Sequence, residues 1–191
     1  MGNTVNINRN LISDDTFGLV VEEGAENRSG SASLSSTLNI IGNTVTNESL
    51  GILIGVGAES ASVSQNGVMT GNTVTGTTGI PVYASSAFAI GAVNFSAEES
   101  SGGTASQGFV LTNNLITENS ANGIFTVASS AGTTQSISLA GGNVVTNNTD
   151  FGLYLVNGGS LATVTFRTDA TNLTGNGSGP LQTSGTVTVV P

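Results

Sequence analysis

The feature that most constrains what this chain can fold into is a short motif that returns six times. It reads Ile41-Gly-Asn-Thr-Val-Thr-Asn47, Thr70-Gly-Asn-Thr-Val-Thr-Gly76, Thr112-Asn-Asn-Leu-Ile-Thr-Glu118 and Gly141-Gly-Asn-Val-Val-Thr-Asn147, with weaker copies at 9–14 and 171–176. Its key asparagines are Asn10, Asn43, Asn72, Asn114, Asn143 and Asn172, spaced by 33, 29, 42, 29 and 29 residues. Seven to nine residues after each comes a glycine that opens an apolar segment: Gly18, Gly51, Gly79, Gly123, Gly152 and, in degraded form, Gly179. A unit this short cannot bury its own apolar face, so successive units must stack on one another.

Within each unit the alternation of Val, Ile and Thr suits a pleated strand, while Asn and Gly tolerate the backbone of tight corners. No segment carries an apolar stripe of helical period. The expected fold is therefore all-β: one solenoid domain spanning residues 1–191, with about six coils. At about 4.8 Å between neighbouring strands, the rod would be on the order of 30 Å long. The spacing of 42 implies an insertion, which we place at Ser85–Gln107, where Ala, Ser and Gly dominate, as a loop protruding from the rod.

Stacking turns repeated residues into columns. Two positions after the key asparagine stand Ile12, Val45, Val74, Ile116, Val145 and Thr174, the expected inward column. The asparagines themselves are expected to stack as a ladder, bonding amide to amide between coils and covering turn backbone. Ser13, Thr46, Thr75, Thr117 and Thr146 face outward, as do Leu11, Thr44, Thr73, Leu115, Val144 and Leu173. An outward column that places Leu115, Val144 and Leu173 on neighbouring coils beside the threonines reads as a contact surface. Complete Thr-x-Thr pairs, of the kind that could order water on an ice-binding face, occur at Thr44/Thr46 and Thr73/Thr75 alone.

These repeats, "GNTVT" followed by Gly-Ile or Gly-Leu, resemble the right-handed parallel β-helices of the pectin-lyase-like type over nearly the whole chain. The resemblance implies the fold. That fold serves lyases, glycosidases, tailspikes, adhesins and non-catalytic surface proteins alike, so it does not choose a function. Asn148-Thr149-Asp150 is similar to the Asn-Thr-Asp motif of the polygalacturonase family, and Asp14-Asp15 to its paired aspartates. That family's Gly-His-Gly and Arg-Ile-Lys motifs have no counterpart in a chain without His or Lys. Asp14-Asp15 also lies four coils from Asp150, ~19 Å along the rod. Paired carboxylates need roughly 5–9.5 Å to act on one glycosidic bond.

Charge narrows the remaining classes. Three Lys+Arg against twelve Asp+Glu give a net charge of −9, with charged residues at 8% of the chain. Clustered cations for a phosphate backbone or an anionic membrane are absent from the sequence, so neither nucleic acid nor membrane insertion is expected. The absence of Cys and His removes a disulfide framework, the thiolate nucleophile and the usual general base. No catalytic residues are assigned on this reading. Asp14, Asp15, Glu48, Glu118 and Asp150 fall in the turns after the second strand and are candidate Ca²⁺ ligands, although no DxDxDG-type loop is present. No other cofactor is expected. Tyr83, Phe88 and Phe95 flank the expected insertion and are candidates for stacking on sugar rings. Met1-Gly-Asn-Thr4 has neither the basic start nor the apolar run of a secretion signal.

The functional expectation is a non-catalytic structural or adhesive module, extracellular or displayed at a cell surface. It associates with itself end to end, because strand-like Thr4–Ile7 and Thr186–Val190 stand at the two ends without a capping helix. Binding or processing of surface carbohydrate is the alternative, with ice binding below it.

Overall fold

The computed structural model describes residues 2–26, 32–78, 91–158, 163–168 and 171–191. It is an all-β parallel solenoid of three sheets and about five turns. Among the described residues it has eighteen strands, numbered in chain order. The seven-stranded sheet comprises β1 (Gly2–Asn8), β4 (Ser33–Ile41), β7 (Ser62–Thr70), β10 (Thr104–Thr112), β13 (Thr133–Leu139), β16 (Thr163–Arg167) and β18 (Val187–Val190). The short sheet comprises β2 (Leu11–Ser13), β5 (Thr44–Thr46), β8 (Thr73–Thr75), β11 (Leu115–Thr117) and β14 (Val144–Thr146). The six-stranded sheet comprises β3 (Phe17–Glu26), β6 (Leu50–Glu59), β9 (Gly91–Ser100), β12 (Asn122–Ala128), β15 (Phe151–Asn157) and β17 (Gly179–Ser184).

The repeated motif is two left-handed corners around a three-residue strand. Arg9, Gly42, Gly71, Asn113 and Gly142, each just before a key asparagine, have φ of 57°, 65°, 64°, 55° and 72°. Asp14, Asn47, Gly76, Glu118, Asn147 and Gly175, just after the strand or its counterpart, have φ of 63°, 60°, 70°, 59°, 56° and 73°. Glycine and asparagine enter that region at little cost, which is why the motif is written largely in them. Between the corners one side chain per coil turns inward: Val45, Val74 and Val145 are 0% exposed and Ile116 1%. They meet Leu38, Ile40, Met69, Leu111 and Leu139 of the seven-stranded sheet and Ile52, Ile54, Val93, Ile124, Leu153 and Leu155 of the six-stranded one. One continuous apolar core results.

Three details of the sequence reading are corrected. Residues 91–107 are not a loop: Gly91–Ser100 and Thr104–Thr112 are strands of the rod. Thr46 pairs with Thr75 and Ile52 with Val93, so most of the extra residues of that coil lie between Thr75 and Val93. Of these, 79–90 fall outside the described residues. Composition misled because Gly91, Ala92 and Ala97 are buried strand positions where a small side chain packs well. The second correction is at the sixth copy of the motif, which forms no strand of the short sheet and makes only an isolated bridge, Val144 with Asn172. The repeat predicts Val144 opposite Leu173, so the register has slipped by one residue, and such a slip exchanges the two faces. Leu173 accordingly packs against the core, while Thr174 is exposed instead of inward. The third concerns Phe95, a core residue 0% exposed whose ring lies 5.2 Å from that of Phe109.

Candidate functional site

Three ladders of side-chain amides run along the inside of the rod. In the first, Asn10, Asn43, Asn72 and Asn114 each donate from Nδ2 to Oδ1 of the asparagine one coil on, at 2.9, 3.0, 2.9 and 3.0 Å, ending on Asn143. Their backbone N–H groups donate to the same oxygens. The Nδ2 groups of Asn43, Asn72, Asn114 and Asn143 also donate to the carbonyls of Ile7, Ile40, Met69 and Leu111. Asn43, Asn72, Asn114 and Asn143 are 1–2% exposed, so corner backbone that water cannot reach is satisfied by these amides. Asn172 stands apart from this ladder. It is exposed, and its Oδ1 accepts from the N–H and hydroxyl of Thr174.

The second ladder occupies the next corner, five residues after the key asparagine in most coils. Asn119 Nδ2 donates to Asn148 Oδ1 at 2.8 Å, and Asn148 Nδ2 to Asn176 Oδ1 at 2.9 Å. Thr77 N–H donates to Asn119 Oδ1. The preceding coils put Asp15 and Glu48 in this column, where Asp15 N–H donates to Glu48 Oε2 at 3.0 Å. Glu48 is 0% exposed, and its Oε1 has no hydrogen-bond partner; the same holds for Thr77 Oγ1 on the coil after it. Burial pushes the Glu48 carboxyl above its ordinary value. The Asp15 N–H opposes that shift, and the Asp15 and Asp14 charges add to it. The third ladder crosses the interior: Gln135 Nε2 donates to Gln107 Oε1 and Gln107 Nε2 to Gln65 Oε1, both at 2.9 Å. It ends on Glu23 Oε2, which also accepts from the Ser36 hydroxyl. A period of five from the key asparagine could have revealed the second ladder in the sequence. The glutamines lack a repeated local motif, and only their strand register aligns them.

The five candidate Ca²⁺ ligands are not gathered at one place: Asp14, Asp15 and Glu48 are neighbours on adjacent coils, and Glu118 and Asp150 lie on later ones. Asp14 Oδ1 already accepts from Asn47 Nδ2. Among the described residues no group of three or more carboxylates is placed to hold a metal ion. Asn148 of the Asn-Thr-Asp triplet spends its amide in the second ladder.

A different acidic feature lies on the outside of the six-stranded sheet. Gly24, Gly55 and Gly57 floor a shallow groove walled by Glu22, Ser96 and Glu98, continuing past Glu26 and Glu59. Burial raises the Glu98 carboxyl above its ordinary value, and the Glu22 charge raises it further. Farther along the same sheet, Phe125, Tyr154 and Phe151 pack ring on ring, with centroids 5.6 Å apart for the first pair and 6.3 Å for the second. Of the three proposed sugar-stacking residues, Tyr83 and Phe88 lie outside the described residues and Phe95 is in the core. On the short sheet Thr44, Thr46, Thr73, Thr75 and Val144 are half-buried and Leu115 is 39% exposed, so these face outward; Leu173 does not join them.

Comparison with protein-family models, curated proteins and solved structures finds no match to this chain. What the geometry establishes is the parallel β-solenoid itself, with no family assigned to it.

Proposed function

We propose that the protein is a structural or adhesive solenoid module, right-handed like the β-helices its repeats resemble, acting outside the cell or at its surface and stacking end to end. The observation that carries this reading is the direction of the first asparagine ladder. From Asn10 to Asn143 the ladder runs one way, each amide offering Oδ1 to the coil before it and N–H donors to the coil after it, so these coils are mutually complementary. At the first coil Asn10 donates onward to Asn43, and among the described residues no strand pairs with the outer edges of β1, β2 and β3. An open strand edge of this kind is a template for another parallel strand. The added coil comes from a second copy or from further repeats of a longer array. Carbohydrate binding is the second reading, supported by the glycine-floored groove beside Glu22 and Glu98 and by the outward Tyr154 and Phe151.

Sedimentation velocity over a concentration series tests the stacking. Arg9 N–H bonds the Ile41 carbonyl toward β4, so alternation along the strand aims the Thr4 and Asn6 N–H groups at the open side. Asn6→Pro removes one such donor at an edge position that tolerates proline. The expected result is concentration-dependent growth in mass for the parent chain, reduced at least about tenfold in association constant by Asn6→Pro. Growth unaffected by the substitution, or none at all, contradicts end-to-end stacking. Binding to a glycan panel by single rods would favour the second reading.

A further inference from the structure

The outer face of the seven-stranded sheet is a broad neutral surface, wider than the three-residue strands of the short sheet. Strand alternation and register place Thr4, Thr37, Asn66, Gly108, Ser136, Thr165 and Thr188 in one outward column. Ser35, Ser64, Ser106 and Thr134 form the column on one side of it, and Asn39, Val68, Val110 and Ser138 the column on the other. No carboxylate of the described residues projects from these columns; the one charged side chain is Arg167, near an end. The acidic side chains of the described residues lie instead at the corners, in the interior, or on the six-stranded sheet; Asp169 falls outside the described residues. On this face Val110, on the middle strand, is 42% exposed with Val68 half-buried beside it, and Ile41, at the end of β4, is 38% exposed.

We propose that this face pairs with the same face of a second copy, joining two rods side by side. Three observations choose that occupant. Two chains of net charge −9 repel one another wherever carboxylates meet, and this face is where they can approach without bringing carboxylates together. Seven strands about 4.8 Å apart, averaging about seven residues of about 3.3 Å each, give an area on the order of 700 Å². A stable interface takes about 800 Å² from each partner. The distribution of side chains also fits, with Val68 and Val110 beside a central column of Thr, Asn, Gly and Ser whose hydroxyls and amides can bond across or through water. Because one patch meets its own copy, the pairing is two-fold and closes at a dimer. It uses the sheet face where end-to-end stacking uses strand edges; Asn6, in register with Asn39 of the flanking column and accepting from its Nδ2, borders both, so the parent chain is compared with the Asn6→Pro chain throughout.

Sedimentation equilibrium of the Asn6→Pro chain, in which end stacking is suppressed, tests the proposal at low and high salt. The expected species has twice the chain mass and becomes more abundant as salt screens the carboxylates elsewhere on the rod. Val110→Glu places a charge at the centre of the face on an exposed side chain, so the fold should survive, as circular dichroism would show. The dimer constant should weaken by at least about tenfold, since the two-fold brings the new charges in twice. Leu115→Glu, on the exposed side of the short sheet, should leave the dimer intact. A monomer at every concentration and salt, a dimer indifferent to Val110→Glu, or one lost equally with Leu115→Glu would each overturn the proposal. Loss of filament growth with Asn6→Pro while the dimer persists separates the two associations.

Discussion

Glu48 stands where later coils of the rod place asparagine. Asn119 and Asn148 offer that corner an oxygen toward the preceding coil and an N–H toward the next. Glu48 supplies the oxygen, through Oε2, but its buried Oε1 has nothing to give to the coil after it. The carboxyl is therefore easier to bury with its proton on, and its folded value lies above the ordinary 4.5. A raised folded value means that the associated stability is fully present below the unfolded value and is lost as pH rises through the folded one. Acidifying from neutral pH toward 4.5 should accordingly raise the melting temperature of the parent chain, with Glu98 contributing in the same sense. Glu48→Gln should remove much of this pH dependence and raise the midpoint at pH 7 by a few degrees, the shift that about 1 kcal/mol produces in a chain of this size. Glu118→Gln, at an exposed corner, controls for the change in net charge. Equal effects from both substitutions, by thermal melts from pH 4.5 to 7, would show that overall charge and not the buried corner sets the trend. None of this was legible in the sequence, where Glu48 reads as one more turn carboxylate; only stacking reveals that its position faces inward.

The unit of stability above the residue is the ladder, which couples each corner to its neighbours. Asn72 holds three partners at once: it accepts from Asn43 and donates to Asn114 and to the Ile40 carbonyl. Asn72→Ala leaves the Asn43 N–H and Nδ2 without their Oδ1 acceptor in a dry interior, for a cost of about 1–3 kcal/mol. Asn10→Ala acts at the exposed end of the same ladder and should cost under about 1 kcal/mol. Urea denaturation of the two variants would measure the difference, and equal losses would mean that the ladder does not carry the corner. The key asparagines could be located in the sequence because a fixed local motif surrounds each of them. The same inference failed at Asn172, where a one-residue slip preserves the motif but exchanges the faces, so that Leu173 fills the core in place of Thr174. It failed again at 91–107, where Ala, Ser and Gly read as a loop although their strand register is complete. Local composition reports turn chemistry well; it does not report which neighbouring coil will cover a small side chain.

At the scale of the whole molecule, the periodicity of the motif was sufficient to imply a stacked parallel solenoid, because a unit of this length has no other way to bury its apolar side. Its surfaces were less legible, since charge is sorted among faces by register and not by position in the chain. Acidic groups gather on the six-stranded sheet, hydroxyls and amides on the seven-stranded one, and the coil edges keep the polarity of the asparagine ladder. That polarity is the basis for reading the protein as a self-associating module. Electron microscopy of the purified chain over a series of concentrations, with and without Ca²⁺, tests it most directly. The predicted outcome is unbranched end-to-end arrays that lengthen with concentration with or without Ca²⁺, since among the described residues no group of three or more carboxylates is placed to hold a metal ion. Single rods of unchanged length at every concentration would contradict it.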